Sequence, residues 1–388
     1  MKFDADVGVL GLGAMGSMTA WRVAKRGVSV LGWDRLAPGH DQSASGGESR
    51  IFRTAYKEGP AYVTLLIRSR LLWQELEAET NSSILNLIGA LLMAQEDSDY
   101  MRNVIASCEN YDLDHEILSA EQIRQRYPVH TLDPGEVAVL DRWAGYIRPD
   151  RANMIAARHA EKLGAVLHRY TPIRDIEFSQ EGVTVYSDNR EWRVRKLVLS
   201  AGPWTRRLLP GTAQNHSLVR IVLAWYRTEN DALFQPDVFP IFMRQSGGLD
   251  FCGWPMINGD SVKLGRNGSH GVFDDPDRLD RNVEPEWFVR WRRMIRDYLP
   301  GIIPDPVRVG AYMDGWTPSG HPVVDIHPDC PNLVTMYGFS GHGYKLAPMF
   351  GEIAARLALG EKIEEDISIF QSLPLGPLDA VPDEAVVV

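Results

Sequence analysis

The sequence contains few cysteines, no long apolar run and no excess of basic residues. Its three cysteines, Cys108, Cys252 and Cys330, are scattered through 388 residues without the spacing of a metal site or a disulfide framework. They predict a reducing compartment, so we expect the protein in the cytoplasm. No apolar run approaches the roughly 20 residues that cross a bilayer, and residues 1–6 lack the apolar core of a signal peptide. We therefore expect no membrane partner.

Acidic side chains outnumber basic ones, with 51 Asp and Glu against 41 Lys and Arg and a net charge of −10. This balance argues against a nucleic-acid partner. A hydrophobic content of 44% is ordinary for a globular protein, and the length favours two domains. The composition leaves the assembly open between a monomer and a small homo-oligomer.

The N-terminal segment carries a dinucleotide-binding pattern. An apolar strand runs into the motif GLGAMG (residues 11–16), and Asp34 follows a second apolar segment eighteen residues later. Gly11 permits a tight turn, Gly13 lets a phosphate approach the backbone, and Gly16 lets a helix pack on the strand. The helix N-terminus offers N–H groups to a pyrophosphate, and Asp34 can accept hydrogen bonds from ribose hydroxyls. The pattern therefore predicts a redox enzyme with a dinucleotide cofactor.

Apolar spacing along the rest of the chain predicts a mixture of helices and strands. Helices are expected at residues 61–79, 120–127, 151–163, 286–298 and 347–359. Strands are expected within residues 84–94 and at residues 165–168, 184–186, 192–194, 196–200 and 333–336. Residues 215–310 alternate apolar and polar positions, which is typical of an antiparallel sheet. The chain is thus predicted to leave the nucleotide-binding domain and return to it twice.

Two further glycine turns follow apolar strands, at residues 200–204 (SAGPW) and 337–345 (YGFSGHGYK). Because ligands bind at the carboxyl ends of the strands in a doubly wound sheet, these turns and the N-terminal motif can converge on one long cofactor. Each turn taken separately fits an ordinary strand-to-helix connection equally well.

The chain resembles the monomeric sarcosine oxidase family of flavoenzymes, which includes N-methyltryptophan oxidase. The motifs that carry the resemblance lie at residues 11–16, 48–53 (ESRIFR), 200–204, 261–265 (SVKLG), 317–318 (TP) and 338–345. The resemblance implies a glutathione-reductase-like FAD-binding domain with a doubly wound βαβ sheet, and a smaller α+β substrate domain with an antiparallel sheet. We expect the first at residues 1–80, 150–212 and 312–388, and the second at residues 81–149 and 213–311.

The resemblance also implies an activity. The family oxidises secondary amines, commonly N-alkyl amino acids, by hydride transfer to flavin N5, which gives an imine, and it reduces O2 to hydrogen peroxide. Arg53 and Lys345 match the pair that binds the substrate carboxylate, where arginine offers a planar fork and lysine a point charge. Lys263 matches the lysine that activates oxygen, since a fixed cation stabilises the charge that develops on O2. These three are the predicted catalytic residues.

Matching the family's contacts position by position gives two further sets of residues, and no metal site is expected. The residues expected to bind FAD are Gly11, Gly13, Ala14, Met15, Gly16, Asp34, Arg35, Ser43, Arg50, Ile173, Ala201, Gly202, Trp204, Gly341, His342, Gly343, Tyr344 and Lys345. The residues expected to contact the substrate, a small amine with a carboxylate, are Arg53, Met243, Cys252, Asn267, Asp314 and Lys345. A purely structural role for His342 fits equally well.

The sequence departs from the family at the position that tethers the flavin. The family usually bonds FAD to a cysteine shortly before the Thr317-Pro318 pair, but Tyr312 stands at the matching position, or Ala311 if the register shifts by one. We therefore predict that FAD is bound without a covalent link.

The substrate pocket departs from the family as well. Gly46 and Asn267 replace two histidines near the flavin, and Cys252 and Asp314 replace two tyrosines that line the pocket. Asp314 suits a cationic or polyhydroxylated substrate group, and a solvated loop acid fits the sequence equally well. Sarcosine itself becomes a doubtful substrate.

Four other functions remain open from the sequence. The first is a fructosyl amino acid (Amadori) oxidase, and the second is a flavin dehydrogenase or imine-forming tailoring enzyme that acts on an amino acid. The third is a nicotinamide enzyme with the same N-terminal fold, but this function would not explain the motifs around Lys263 and Lys345. The fourth is a flavin-binding protein without turnover.

Overall fold

A computed structural model describes residues 2–56 and 60–371. Within them, the helices are α1 (Ala14–Ala24), α2 (Pro60–Thr80), α3 (Asp99–Asn110), α4 (Ala120–Arg126), α5 (Pro149–Lys162), α6 (Thr205–Leu208), α7 (Phe288–Tyr298) and α8 (Ala347–Leu359). The strands of the first half are β1 (Ala5–Leu10), β2 (Val30–Trp33), β3 (Arg50–Phe52), β4 (Leu85–Asn86), β5 (Ala90–Gln95), β6 (His115–Leu118), β7 (Glu136–Asp141), β8 (Gly145–Ile147), β9 (Val166–His168), β10 (Ile173–Phe178), β11 (Val183–Ser187) and β12 (Glu191–Leu199). Those of the second half are β13 (Ser217–Thr228), β14 (Ile241–Ser246), β15 (Leu249–Trp254), β16 (Val262–Arg266), β17 (Val272–Phe273), β18 (Ile302–Trp316), β19 (Val323–Ile326) and β20 (Leu333–Tyr337).

The predicted helices are all present, with shifts of a few residues at their ends. The serine cap predicted before α4 is confirmed as a capping box, in which Ser119 and Gln122 exchange side-chain and backbone hydrogen bonds. The helix predicted over residues 286–298 begins instead with a short 3₁₀ turn, Pro285–Trp287, and continues as α7.

The first sheet is an eight-stranded sheet built around parallel strands. Its order is β10-β11-β12-β1-β2-β9, with β20 added in parallel to β12 and β19 antiparallel to β20. Helix α1 packs against α5 and α8, and apolar side chains of β1, β2, β10, β11 and β12 form a second cluster within the sheet. The βαβ start and the helix-covered parallel strands confirm the predicted α/β fold class.

The second sheet has nine strands, most of them antiparallel. Its order is β17-β13-β16-β15-β14-β5-β7-β6, and β18 pairs with β13 along nearly its whole length. This confirms the antiparallel sheet predicted for residues 215–310. A third sheet, with order β3-β8-β4, is small and antiparallel.

The predicted domain boundary between residues 311 and 312 falls inside the continuous strand β18. Residues 372–388, predicted to belong to the FAD-binding domain, lie outside the described residues. The division into two domains stays a prediction.

Across residues 2–56 and 60–371, the structure shows no helix with the length and apolar character needed to cross a membrane.

Candidate functional site

Two adjoining cavities lie where the first and second sheets meet. The first, here called the glycine-turn cavity, has a volume of about 330 Å³ and opens at the carboxyl ends of β1, β2, β12 and β20. The second, here called the sheet cavity, has a volume of about 380 Å³ and is lined by β14, β15, β16 and β18. Ala44, Arg50, Asp314, Gly341 and Tyr344 line both cavities, and we call these five residues the shared wall.

The three glycine turns meet around the glycine-turn cavity, as the sequence predicted. Its lining includes fifteen of the residues predicted to bind FAD, which are Gly11, Gly13, Ala14, Met15, Asp34, Arg35, Ser43, Arg50, Ile173, Ala201, Gly202, Trp204, Gly341, Gly343 and Tyr344. Three predicted residues do not line it. Gly16 packs beneath the turn instead, while His342 and Lys345 line the sheet cavity.

The glycines of the N-terminal motif have different physical tasks. Gly11 has a φ of +89°, and a Cβ on Gly16 would lie 1.7 Å from the carbonyl oxygen of Gly11, so neither position accepts a larger side chain. A Cβ on Gly13 would meet no atom within 4 Å. Gly13 is the N-cap residue of α1, and no side chain there bonds to the first N–H groups of the helix. The first N–H groups of α1 therefore face an open cradle that fits a phosphate group.

These contacts give a prediction with a matched control. The Gly16→Ala variant should lose about 2 kcal/mol or more of stability, because the added methyl overlaps backbone atoms that have no room to move. The Gly13→Ala variant should keep wild-type stability as apoprotein and bind FAD more weakly. Thermal unfolding of the apoproteins and titration with FAD measure the two effects. An apo Gly16→Ala protein as stable as wild type would contradict the packing argument.

The acid at the end of β2 organises the turn around it. One carboxylate oxygen of Asp34 accepts a hydrogen bond from the backbone N–H of Leu12 at 2.7 Å, and the other accepts one from Leu36 at 2.9 Å. The Asp34 side chain is therefore held at the cavity edge before any ligand arrives.

A segment that follows β17 of the second sheet reaches the lining of the glycine-turn cavity. Asp277, which follows β17, pairs with Arg35 at 2.6 Å and with Arg207 at 2.6 Å, and accepts a hydrogen bond from Trp204 Nε1 at 2.9 Å. All four residues line the cavity. Sequence reasoning found Arg35 and Trp204 but missed Asp277 and Arg207, which have no local motif.

The sheet cavity contains the two cations predicted to bind a carboxylate. Arg53 is 2% exposed, donates a hydrogen bond to the carbonyl of Ala55 at 3.1 Å, and places its guanidinium carbon 4.3 Å from the centre of the Tyr56 ring. Lys345 Nζ donates to the carbonyl of His342 at 2.9 Å and to the Tyr56 hydroxyl at 3.4 Å. Tyr56 thus contacts both cations, and sequence reasoning missed it.

The other residues predicted to contact substrate also line the sheet cavity. Met243 and Cys252 pair across β14 and β15, and Asn267 bonds through its side-chain amide to Asp250. Asp250 in β15 and its neighbour Arg266 at the end of β16 were not predicted but line the same cavity. The cavity wall therefore carries charges of both signs.

Arg50 and Asp314 are the two charged residues of the shared wall. Arg50 donates hydrogen bonds to the carbonyls of Ser49 at 2.8 Å and Ala44 at 2.9 Å, and also to that of Gly46. Burial raises the pKa of Asp314 to about 6, although the N–H of Gly315, at 2.8 Å, and the charge of Arg50 act in the opposite direction. Asp314 lies within strand β18, is half-buried and lines both cavities, so the alternative of a solvated loop acid is wrong.

Lys263 lies behind the cavity surface. It is 2% exposed, and its Nζ donates hydrogen bonds to the carbonyls of Gly47 at 2.9 Å and Ser49 at 2.8 Å. The same nitrogen lies 3.7 Å from the ring centre of Trp254, and Trp254, rather than Lys263, lines the sheet cavity. Burial and the charge of Arg50 hold the pKa of Lys263 well below its ordinary value.

The position predicted to lack a flavin tether is occupied by a packed aromatic ring. Tyr312 lines the sheet cavity and lies against Gly46, where a Cβ would come within 2.8 Å of the ring. Among the described residues, Cys252 is the one cysteine that lines either cavity. It lies three strands away from Tyr312 in the sheet, and burial raises the pKa of its thiol to about 12.

In the described part of the chain, no group of three or more His, Cys, Asp or Glu side chains could bind a metal ion.

Comparison with known proteins agrees with this geometry. A model of the FAD dependent oxidoreductase family, DAO, matches residues 6–357. Monomeric sarcosine oxidase from Streptomyces avermitilis is 35% identical over 379 residues, which cover 94% of this chain and 96% of that protein. N-methyl-L-tryptophan oxidase from Yersinia pestis (strain Pestoides F) is 30% identical over 369 residues, covering 95% of this chain and 98% of that protein.

A solved structure shows the same fold. NikD, described as an unusual amino acid oxidase essential for nikkomycin biosynthesis, matches with a TM-score of 0.84 and 24% identity. The match covers 95% of this chain and 98% of NikD.

Proposed function

The chain belongs to the FAD-dependent oxidoreductase family, and on this premise we propose that it is an oxidase of secondary amines that carry a carboxylate, in particular N-alkyl amino acids. The reaction removes a hydride from the carbon next to the nitrogen, gives an imine, and returns the electrons to O2 as hydrogen peroxide. The similar sarcosine oxidase and N-methyl-L-tryptophan oxidase support this substrate class.

One observation carries the proposal. Arg53 and Lys345, both buried, line a cavity that shares a wall with the cavity of the glycine turns. Two cations at one site favour an anion, and the fork of arginine favours the planar carboxylate. A substrate whose carboxylate binds there can place its amine at the shared wall, next to the cofactor. Positioning of this kind can remove a large part of the barrier to reaction.

The residues of the glycine-turn cavity fit FAD. The open cradle at Gly13 suits the pyrophosphate, and the Asp34 carboxylate suits the ribose hydroxyls. The ion pairs of Asp277 would close the cavity over the bound nucleotide. Bound FAD supplies the hydride acceptor, and the protein orients the substrate and excludes water.

We further propose that FAD is held without a covalent bond, because Tyr312 occupies the predicted tether position and the Cys252 thiol lies elsewhere in the sheet. Acid precipitation of the purified yellow protein should leave the colour in the supernatant. Absorbance of supernatant and pellet measures the outcome. Yellow colour in the washed pellet would contradict the proposal, and mass spectrometry of its peptides would identify the bonded residue.

The three cysteines are free thiols in the structure, which supports a reducing compartment and hence the cytoplasm as the site of action. All three are buried.

A fructosyl amino acid oxidase is the second candidate. Asp250 and Asp314 both line the sheet cavity, and carboxylates accept hydrogen bonds from sugar hydroxyls. The same carboxylate site at Arg53 and Lys345 would serve both kinds of substrate.

A panel of amines tests these functions together. It contains N-methyl amino acids of increasing side-chain size, a fructosyl amino acid, and the corresponding amines without a carboxylate. We expect hydrogen peroxide in a one-to-one ratio with the carboxylate-bearing substrate consumed. Substrate consumption without peroxide would indicate a dehydrogenase, and flavin that no amine bleaches without O2 would indicate a binding protein.

A further inference from the structure

We propose that Asp314 is the anionic partner of the substrate nitrogen, so that the enzyme binds its amino acid as the zwitterion, with the carboxylate on Arg53 and Lys345 and the ammonium group beside Asp314. This rests on the proposed function and adds the charge state in which the substrate first binds. The ammonium group must then lose one proton, to the Asp314 carboxylate or to water, before the carbon next to the nitrogen can give up a hydride. It makes Asp314 a specificity-determining residue for amino acids with a cationic nitrogen.

The location of Asp314 is the first reason. If cofactor and substrate occupy the two cavities, the carbon and nitrogen that react must lie at the shared wall. Asp314 is the one carboxylate in that wall, which otherwise contains Arg50, Ala44, Gly341 and Tyr344. Within residues 2–56 and 60–371, the other acid of the sheet cavity is Asp250, which lies outside the wall and accepts hydrogen bonds from side-chain amides.

The availability of the Asp314 charge is the second reason. Arg50 supplies the guanidinium of the wall, but its hydrogen bonds in the described structure go to three backbone carbonyls and none goes to Asp314. Asp314 instead accepts the N–H of Gly315, and that of Gly341 points to it as well. Backbone N–H groups fix a carboxylate in place and leave it a full negative charge.

The surrounding charge is the third reason. Among the residues that the structure describes, the ionisable side chains that share the sheet cavity with Asp314 are Arg50, Arg53, Arg266, Lys345, Asp250, Cys252, His342, Tyr312 and Tyr344. Four of them are lysine or arginine, and one is an acid. A cationic nitrogen entering such a cavity is repelled unless a negative charge lies next to it, and the carboxylate of Asp314 supplies that charge at the wall.

Two ligands of the same shape isolate this charge. Glycine betaine and tert-butylacetate both carry a carboxylate and three methyl groups. The methyl groups are attached to a cationic nitrogen in betaine and to a neutral carbon in tert-butylacetate. Neither can be oxidised as an amine, so isothermal titration of the holoenzyme measures binding alone. At about pH 8 we expect the wild-type protein to bind betaine about tenfold more tightly than tert-butylacetate.

Substitutions then show which residue causes the preference for betaine. In Asp314→Asn, betaine should lose about tenfold in affinity while tert-butylacetate binds unchanged, and Asp314→Glu should restore part of the preference. The preference of the wild type should also fade as the pH falls through about 6, because the Asp314 carboxylate is charged only above its pKa. Arg53→Met should weaken both ligands equally.

Other results overturn the inference. If Asp314→Asn still prefers betaine, Asp314 is not the partner of the substrate nitrogen. A changed flavin spectrum in that variant would then show that Asp314 acts on the cofactor alone. An equal loss for both ligands would make Asp314 a structural residue, which a lowered melting temperature would corroborate. If neither ligand binds the wild type and Arg53→Met changes nothing, the carboxylate site and the proposed function themselves fail.

Discussion

Arg53→Met should lower kcat/KM for an N-alkyl amino acid by about two to three orders of magnitude. Losing one partner of a buried, hydrogen-bonded charge pair typically costs about 3–4 kcal/mol, and each ~1.4 kcal/mol is a factor of ten. Arg53 is 2% exposed, so solvent and salt screen its interaction with the substrate carboxylate only weakly. Steady-state kinetics with the best substrate of the amine panel measures the loss.

A matched substrate provides the control for this variant. The amine that lacks the carboxylate should react equally slowly with wild type and Arg53→Met, because it makes no contact with the guanidinium. Arg53→Lys should recover part of the activity, since lysine restores the charge without the two-pronged geometry. A loss of equal size on the amine without a carboxylate would show that Arg53 supports the fold rather than the substrate.

Lys263→Met should slow the reaction of the reduced enzyme with O2 by about two to three orders of magnitude, while anaerobic reduction by substrate stays within a few-fold of wild type. A fixed cation stabilises negative charge as it forms on oxygen, and removing one such group typically costs this much. The two carbonyls and the Trp254 ring keep Nζ in one place. Stopped-flow absorbance of the two half-reactions separates the effects, and equal slowing of both would exclude the role.

The pH dependence of the oxygen reaction provides a second check on Lys263. Burial and the charge of Arg50 lower the pKa of Lys263, so the ammonium form is present below that pKa and is lost as the pH rises through it. The oxygen reaction of wild type should therefore be fastest at low pH and decline at a pH well below that of ordinary lysine titration. Lys263→Met should show no such decline, and a decline that persists in this variant would point to another group.

The sequence predicted most of the fold because its signals are local. A tight turn needs glycine at Gly11, and helix and strand periods of about 3.6 and 2 residues identify α2, α5, α8 and β20 without any distant contact. The α/β class follows from the order of these elements. The end of the second sheet was less predictable, since strand β18 continues to Trp316 by pairing with β13, about ninety residues earlier in the chain.

The candidate site was predicted in its residue types and less fully in its arrangement. Arg53 and Lys345 stand in recognisable motifs, and both line the sheet cavity. Tyr56, which contacts both cations, carries no signal because an aromatic residue after a polar turn is common in any fold. Asp277 is likewise an ordinary loop acid until the fold brings it to Arg35.

The sequence alone determined that this chain builds a dinucleotide fold with a glycine cradle and carries two cations suited to a carboxylate, because these properties depend on residue type and short spacing. The tertiary structure alone decided that Asp314 lies in the wall between two cavities and that Trp254, rather than Lys263, lines the sheet cavity. Burial and electrostatic environment are set by side chains from distant segments, which meet only when the strands pair in register.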